Sequence, residues 1–135
     1  MAVSEIVLEE LKRRAREAAT RAYAPYSGFA VGAAVLTDGG EIHSSANVEN
    51  ASFGLSNCAE RNAIFEAVGH GARKLVALAV YTPTASATAP CGACRQVLSE
   101  FGADAIVICC TDDDAHERRF ALAELLPAAF GPASL

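Results

Sequence analysis

The sequence predicts an α/β fold, a three-layer α/β/α sandwich around a mixed five-stranded sheet. Three observations lead there. Apolar runs rich in Val, Ala, Leu and Ile alternate with helical patterns in the order α-β-β-α-β-α-β-β-α. The first two strands are separated only by Asp38-Gly39-Gly40, a hairpin turn, and the last two by the turn Thr111-Asp112-Asp113-Asp114, whereas helices separate the strands between. A chain of 135 residues, 52% hydrophobic and 20% charged, has the composition of one globular domain, residues 1–135, with one core.

Ser4 is positioned to cap a first helix to about Ala22, with Ile6, Leu8, Leu11, Ala15, Ala18, Ala19 and Ala22 as its apolar stripe. Ala24-Pro25-Tyr26-Ser27-Gly28 ends it. Phe29 to Thr37 reads as a buried strand, and Glu41 to Asn47 returns as the second. After a polar loop, Cys58 opens a helix through about Val68, which Gly69 and Gly71 stop. Lys74 to Thr82 is the third strand, and Cys91 opens a third helix ending at Gly102. Ala105 to Cys110 and a short His116 to Leu122 complete the sheet. Ala123 to Leu126 forms a helical turn before the tail.

The net charge of −5 argues against nucleic acid as a partner, since polyanions bind basic surfaces. The one basic cluster, Lys12-Arg13-Arg14, sits beside Glu9, Glu10 and Glu17 and reads as a solvated helix face. Met1 to Glu5 lacks the basic and apolar regions of a signal peptide. The longest uncharged run, Leu75 to Cys94, contains Pro83 and Pro90 and reads as strand, loop and helix start rather than a membrane span. A cytoplasmic location is therefore expected. Thiols stay reduced there, so the five cysteines point to metal binding or catalysis rather than disulfides.

Cys91 and Cys94 are i and i+3, neighbours on one helical face. Cys58 also stands at a helix start. Exposed N–H groups and the helix dipole favour thiolates at such positions. Both helices precede a strand, which brings their amino ends to one edge of the sheet. Three thiolates on Zn²⁺ leave a fourth tetrahedral position open, the mark of a catalytic site. A redox Cys-x-x-Cys pair, or a closed site with His43, His70, His116, Cys109 or Cys110 as fourth ligand, are the alternatives. Glu60, two residues after Cys58, is the candidate proton carrier. Three thiolates make zinc electron-rich, so Arg61, i+3 from Cys58, is expected to hydrogen-bond the sulfurs and withdraw charge. One of Cys109 and Cys110 is expected to face the core.

The runs Asn47-Val48-Glu49-Asn50-Ala51-Ser52-Phe53, Cys58-Ala59-Glu60-Arg61 and Pro90-Cys91-Gly92-Ala93-Cys94-Arg95-Gln96 resemble those of the small homotetrameric cytidine deaminases. The likeness extends to Tyr23 to Ser27, Phe29 to Ala34, Leu125 to Pro127 and Phe130 to Pro132. It implies one Zn²⁺ per subunit on Cys58, Cys91 and Cys94, and hydrolytic deamination of cytidine or 2′-deoxycytidine in pyrimidine salvage. In that chemistry Glu60 takes a proton from water, delivers it to N3 and protonates the leaving amine. The resemblance further implies that Asn47 and Glu49 hold the ribose hydroxyl and that Phe29 packs on the base. The backbone at Ala59 reads the pyrimidine edge, with Tyr26 and Phe53 beside the site. Phe53 stands where many relatives have tyrosine. Phe130 is implied to enter the site of a neighbouring subunit in a homotetramer. Two rivals remain: a blasticidin-type deaminase of a modified cytosine nucleoside, which shares the zinc motifs but not the Asn47-x-Glu49-Asn50-Ala51 run, and a zinc-stabilised interaction module, which leaves Glu60 and Glu49 without a task.

Overall fold

The computed structural model describes residues 3–135. Its sheet has the order β2-β1-β3-β4-β5, with β1 Gly32–Thr37, β2 Ile42–Ala46, β3 Leu75–Tyr81, β4 Ile106–Cys110 and β5 Arg118–Ala121. Only β3 and β4 run parallel; the other neighbours are antiparallel. The mixed five-stranded sheet is thus as expected.

Alternation along the central strands divides the core in two. Ala33, Val35, Leu78, Val80, Val107 and Cys109 face α2 (Ala59–Gly69) and α3 (Gly92–Phe101). Ala34, Leu36, Ala77, Ala79, Ile108 and Cys110 face α1 (Glu5–Ala19). The two adjacent cysteines of β4 therefore each enter a different layer, and both are buried where one was expected. Burial pushes their thiols up, to about 12 at Cys109 and about 11 at Cys110.

Helix α1 starts as expected, with the Ser4 side chain accepting from the Val7 N–H. It stops at Ala19, three residues early. Ile6 lies off the buried stripe at 84% exposure. Lys12 takes its place in the stripe at 8% exposure, its ammonium paired with Glu9 and Glu117. The reading of Lys12 as a solvated residue is therefore corrected. Its partner Glu117 comes from the segment leading into β5.

Gly32 explains how closely α1 lies on the sheet. A Cβ there would come within 1.8 Å of the Ala15 carbonyl oxygen and 2.6 Å of the Ala19 nitrogen. The first strand also begins three residues later than expected. Gly28 takes a left-handed φ of 69°. Beyond it the Asn47 side chain replaces a neighbouring strand: Oδ1 accepts from the Val31 N–H at 2.9 Å, and Nδ2 donates to the Phe29 carbonyl at 2.8 Å. Phe29 is thereby left 39% exposed as a wall rather than buried in the core. A helical turn α4 (Leu122–Leu125) and a 3₁₀ turn at Pro132–Ser134 finish the chain. The fifth strand is shorter than expected, since His116 falls in a 3₁₀ turn at Asp114–His116.

Candidate functional site

Cys58 and Cys91 each occupy the N-cap of their helix, one residue outside the span expected of them. Neither side chain caps its own helix by a hydrogen bond, so both sulfurs are free to point elsewhere. They converge: Cys58 Sγ lies 4.0 Å from Cys91 Sγ, and Cys91 Sγ lies 3.4 Å from Cys94 Sγ in the first turn of α3. Sulfurs on a tetrahedral zinc at about 2.3 Å each stand roughly 3.8 Å apart. The three residues therefore fit zinc without rearrangement of the backbone. None of the candidate fourth ligands joins them. His43 and His70 belong to a separate cluster, and Cys109 and Cys110 lie within the core layers.

The electrostatics favour thiolate at Cys58. Hydrogen bonding from Cys94 and from the Arg61 guanidinium pulls the Cys58 thiol down to about 5. The same contact with Cys58, together with burial, pushes the Cys94 thiol up. Arg61 Nη2 donates to Cys58 Sγ at 3.4 Å, as the i+3 spacing predicts. Its Nε is buried and has no partner among the described residues.

Glu60 occupies the second position of α2 and is 6% exposed. Desolvation pushes its carboxyl up from 4.5 to about 7, and the neighbouring Cys58 thiolate adds to the rise. A group half-protonated near neutral pH both accepts and donates protons readily. Glu60, Cys58 and Cys91 line a cavity of about 220 Å³ with Phe29, Val31, Asn47, Ala59 and Thr82. Two threonines and an alanine in that lining, Thr82, Thr88 and Ala89, escaped the sequence reading. The signal for the last two was their place directly before Pro90-Cys91.

Glu49, Tyr26 and Phe53 line an adjoining depression with Ser27 and Ser56. Main-chain pairing continues past β2 to set this up: the Tyr23 N–H donates to the Asn47 carbonyl, and the Glu49 N–H to the Tyr23 carbonyl. The Glu49 carboxylate accepts from the N–H groups of Tyr26 and Ser27 at 3.0 and 3.1 Å, and from the Ser27 hydroxyl. These bonds, the hydroxyl's foremost, hold its carboxyl below the usual range. Ser27 is thus a further residue that sequence reasoning missed. The Tyr26 and Phe53 rings meet edge to face at 5.8 Å. Of the residues expected to contact substrate, Phe130 alone lines neither space. Its ring is 61% exposed and its carbonyl accepts from Gln96 Nε2 at 2.9 Å.

Comparison with known proteins agrees with this geometry. Residues 6–110 match the model of the cytidine and deoxycytidylate deaminase zinc-binding region. A cytidine deaminase of Sporosarcina psychrophila is 41% identical over 95% of this chain and 94% of its own length. One from Mycobacterium tuberculosis is 46% identical over 90% and 87%. The crystal structure of the cytidine deaminase from Burkholderia pseudomallei superposes with a TM-score of 0.87 at 43% identity, covering 95% of this chain and all of that one. By that family match over most of its length, and by relatives more than 40% identical over nearly all of it, the chain belongs to the cytidine and deoxycytidylate deaminase family and carries its zinc-binding region.

Proposed function

We propose that the protein deaminates cytidine and 2′-deoxycytidine hydrolytically to uridine and 2′-deoxyuridine. The observation that carries this reading is the juxtaposition of three clustered sulfurs with a buried carboxyl near pKa 7 at one cavity of about 220 Å³. Zinc held by Cys58, Cys91 and Cys94 supplies Lewis acidity that makes water nucleophilic near neutral pH. Glu60 would accept a proton from water as its oxygen joins C4 and pass it to N3, then take the remaining proton of the new C4 hydroxyl and deliver it to the departing amine. Ammonia leaves and the C4 carbonyl remains. Phe29 and Val31 wall the base, and the backbone at Ala59 reads its edge. Asn47 and Glu49 receive the ribose hydroxyl; both already hold the Tyr26–Phe29 loop, so one set of bonds shapes the pocket before substrate arrives. A substrate lacking that hydroxyl would forgo its contacts with these two side chains.

The proposal extends to assembly. The exposed Phe130 ring, and Phe53 and Leu55 at 73% and 71% exposure, suit a homotetramer in which Phe130 completes a neighbour's site. A single domain over residues 1–135 acting on a free nucleoside in the cytoplasm fits the net charge of −5, which argues against a basic channel for a nucleic-acid strand. No helix among the described residues is long and apolar enough to cross a membrane.

Incubation of zinc-replete protein with cytidine is expected to change the ultraviolet spectrum and release one ammonia per nucleoside consumed. A folded sample that converts neither cytidine nor deoxycytidine, but does convert blasticidin-type nucleosides, would move the assignment to that rival. Inertness toward all of them would favour the interaction module.

Arg61 is proposed to lower the electron density on the sulfurs. Arg61→Ala is expected to weaken zinc retention or turnover by about 10–100-fold, the range for residues that support metal ligands. Unchanged zinc content in chelator competition, together with unchanged turnover, would remove that role.

A further inference from the structure

Outside the cavity, His43, Glu66 and His70 place one ligand atom each within 4.8 Å of one another. His43 projects from β2, while Glu66 and His70 are i and i+4 at the carboxyl end of α2. His43 Nδ1 lies 3.5 Å from Glu66 Oε1, and the two imidazole rings stand 5.1 Å apart in a tilted arrangement.

Two details go beyond proximity. His70 Nδ1 lies 2.9 Å from the Glu66 carbonyl oxygen. A carbonyl only accepts, so Nδ1 carries the proton and Nε2 keeps its lone pair. That is how proteins orient an imidazole for a metal, by tying its other nitrogen to the backbone. The His43 side chain is 12% exposed, and its Nε2 is buried without a hydrogen-bond partner among the described residues. Its other nitrogen faces Glu66 at a distance long for a hydrogen bond. The ring is nearly desolvated yet poorly satisfied as it stands.

We propose that His43, Glu66 and His70 form a second divalent-cation site, distinct from the cysteine centre, with solvent completing its coordination. Two imidazoles and one carboxylate suit a late first-row ion such as Zn²⁺, Co²⁺ or Ni²⁺ rather than Mg²⁺ or Ca²⁺. From Cys58 to His70 the helix rises about 18 Å, at about 1.5 Å per residue, so one ion cannot serve both clusters. The site would pin the carboxyl end of α2 to β2. The other end of the same contact is already held by Asn62 Nδ2 donating to the Ala46 carbonyl at 2.9 Å. Helix α2 carries Cys58 and Glu60, and β2 leads into Asn47 and Glu49. The second ion would therefore act as a structural clasp behind the active site rather than as a reactant.

The test is a Co²⁺ titration of protein whose cysteine centre is already loaded with zinc. One further Co²⁺ per subunit is expected to bind saturably, with visible absorption but without an intense sulfur-to-cobalt charge-transfer band. It should raise the thermal midpoint, because it binds only the folded state. His70→Ala and Glu66→Gln change exposed side chains and are expected to preserve fold, cysteine-bound zinc and turnover. Each should weaken Co²⁺ binding at least tenfold and abolish the midpoint rise. The proposal is overturned if Co²⁺ shows no saturable binding, if both variants bind it undiminished, or if it enters only with the sulfur band.

Discussion

Glu60→Gln is expected to abolish nearly all turnover, by about 10²–10⁴-fold, while leaving zinc in place. The amide keeps the shape of the side chain but can no longer carry a proton between water, N3 and the amine. The same substitution should make the metal-free protein more stable at neutral and alkaline pH. The sign follows from the direction of the shift. The folded-state value of about 7 lies above the ordinary 4.5, so the folded protein binds the proton more tightly. Stability then falls as pH rises through that window, by about 3 kcal/mol in all. Glutamine has no such penalty. In denaturant titrations at one protein concentration, the variant should exceed the parent by up to about 3 kcal/mol at pH 8 and converge with it below pH 4.5. With zinc bound the difference should shrink, because a divalent cation nearby favours the carboxylate. A variant that still turns over substrate contradicts the proton-carrier role. Equal stability at pH 8 contradicts the buried, desolvated placement.

Gly32→Ala is expected to be the most damaging single methyl in the chain. The added carbon would meet the backbone of α1 at 1.8 Å, and backbone cannot rotate away as a side chain can. Overpacking against flexible neighbours costs about 1–3 kcal/mol; against a rigid helix the loss should be at least about 3 kcal/mol. That is a large share of a domain's total stability. Failure to accumulate in soluble form, or a large drop in denaturant midpoint, is the expected result. Gly69→Ala is the control. It lies at the end of α2 with nothing within 4 Å, and alanine there should be neutral or stabilising by up to about 1 kcal/mol. An unchanged midpoint for Gly32→Ala would mean that α1 does not rest on the first strand as described.

Much of this architecture was legible in the residues because the signals were local. Apolar runs bounded by glycine and proline placed all five strands and their order along the chain. The helix-start cysteines predicted their own meeting, and the i+3 spacing of Arg61 predicted its sulfur contact. What escaped depended on partners distant in sequence. Lys12 reads as one more helix charge until Glu117, 105 positions away, arrives beside it. The strand was drawn too long at Phe29 because no local pattern says that an asparagine side chain will satisfy Phe29 and Val31 in place of a strand. Ser27 and Thr88 are ordinary loop residues by type; only folding sets one against Glu49 and the other against the cavity.

The paired thiols of β4 bear on selective inhibition. Cys109 and Cys110 are the two cysteines outside the reactive centre, and each is sealed in its own hydrophobic layer with its sulfur held in the poorly nucleophilic protonated form. An electrophilic drug meeting the native enzyme would find no decoy sulfur there. Whatever cysteine adduct it made would report on the three-sulfur centre alone.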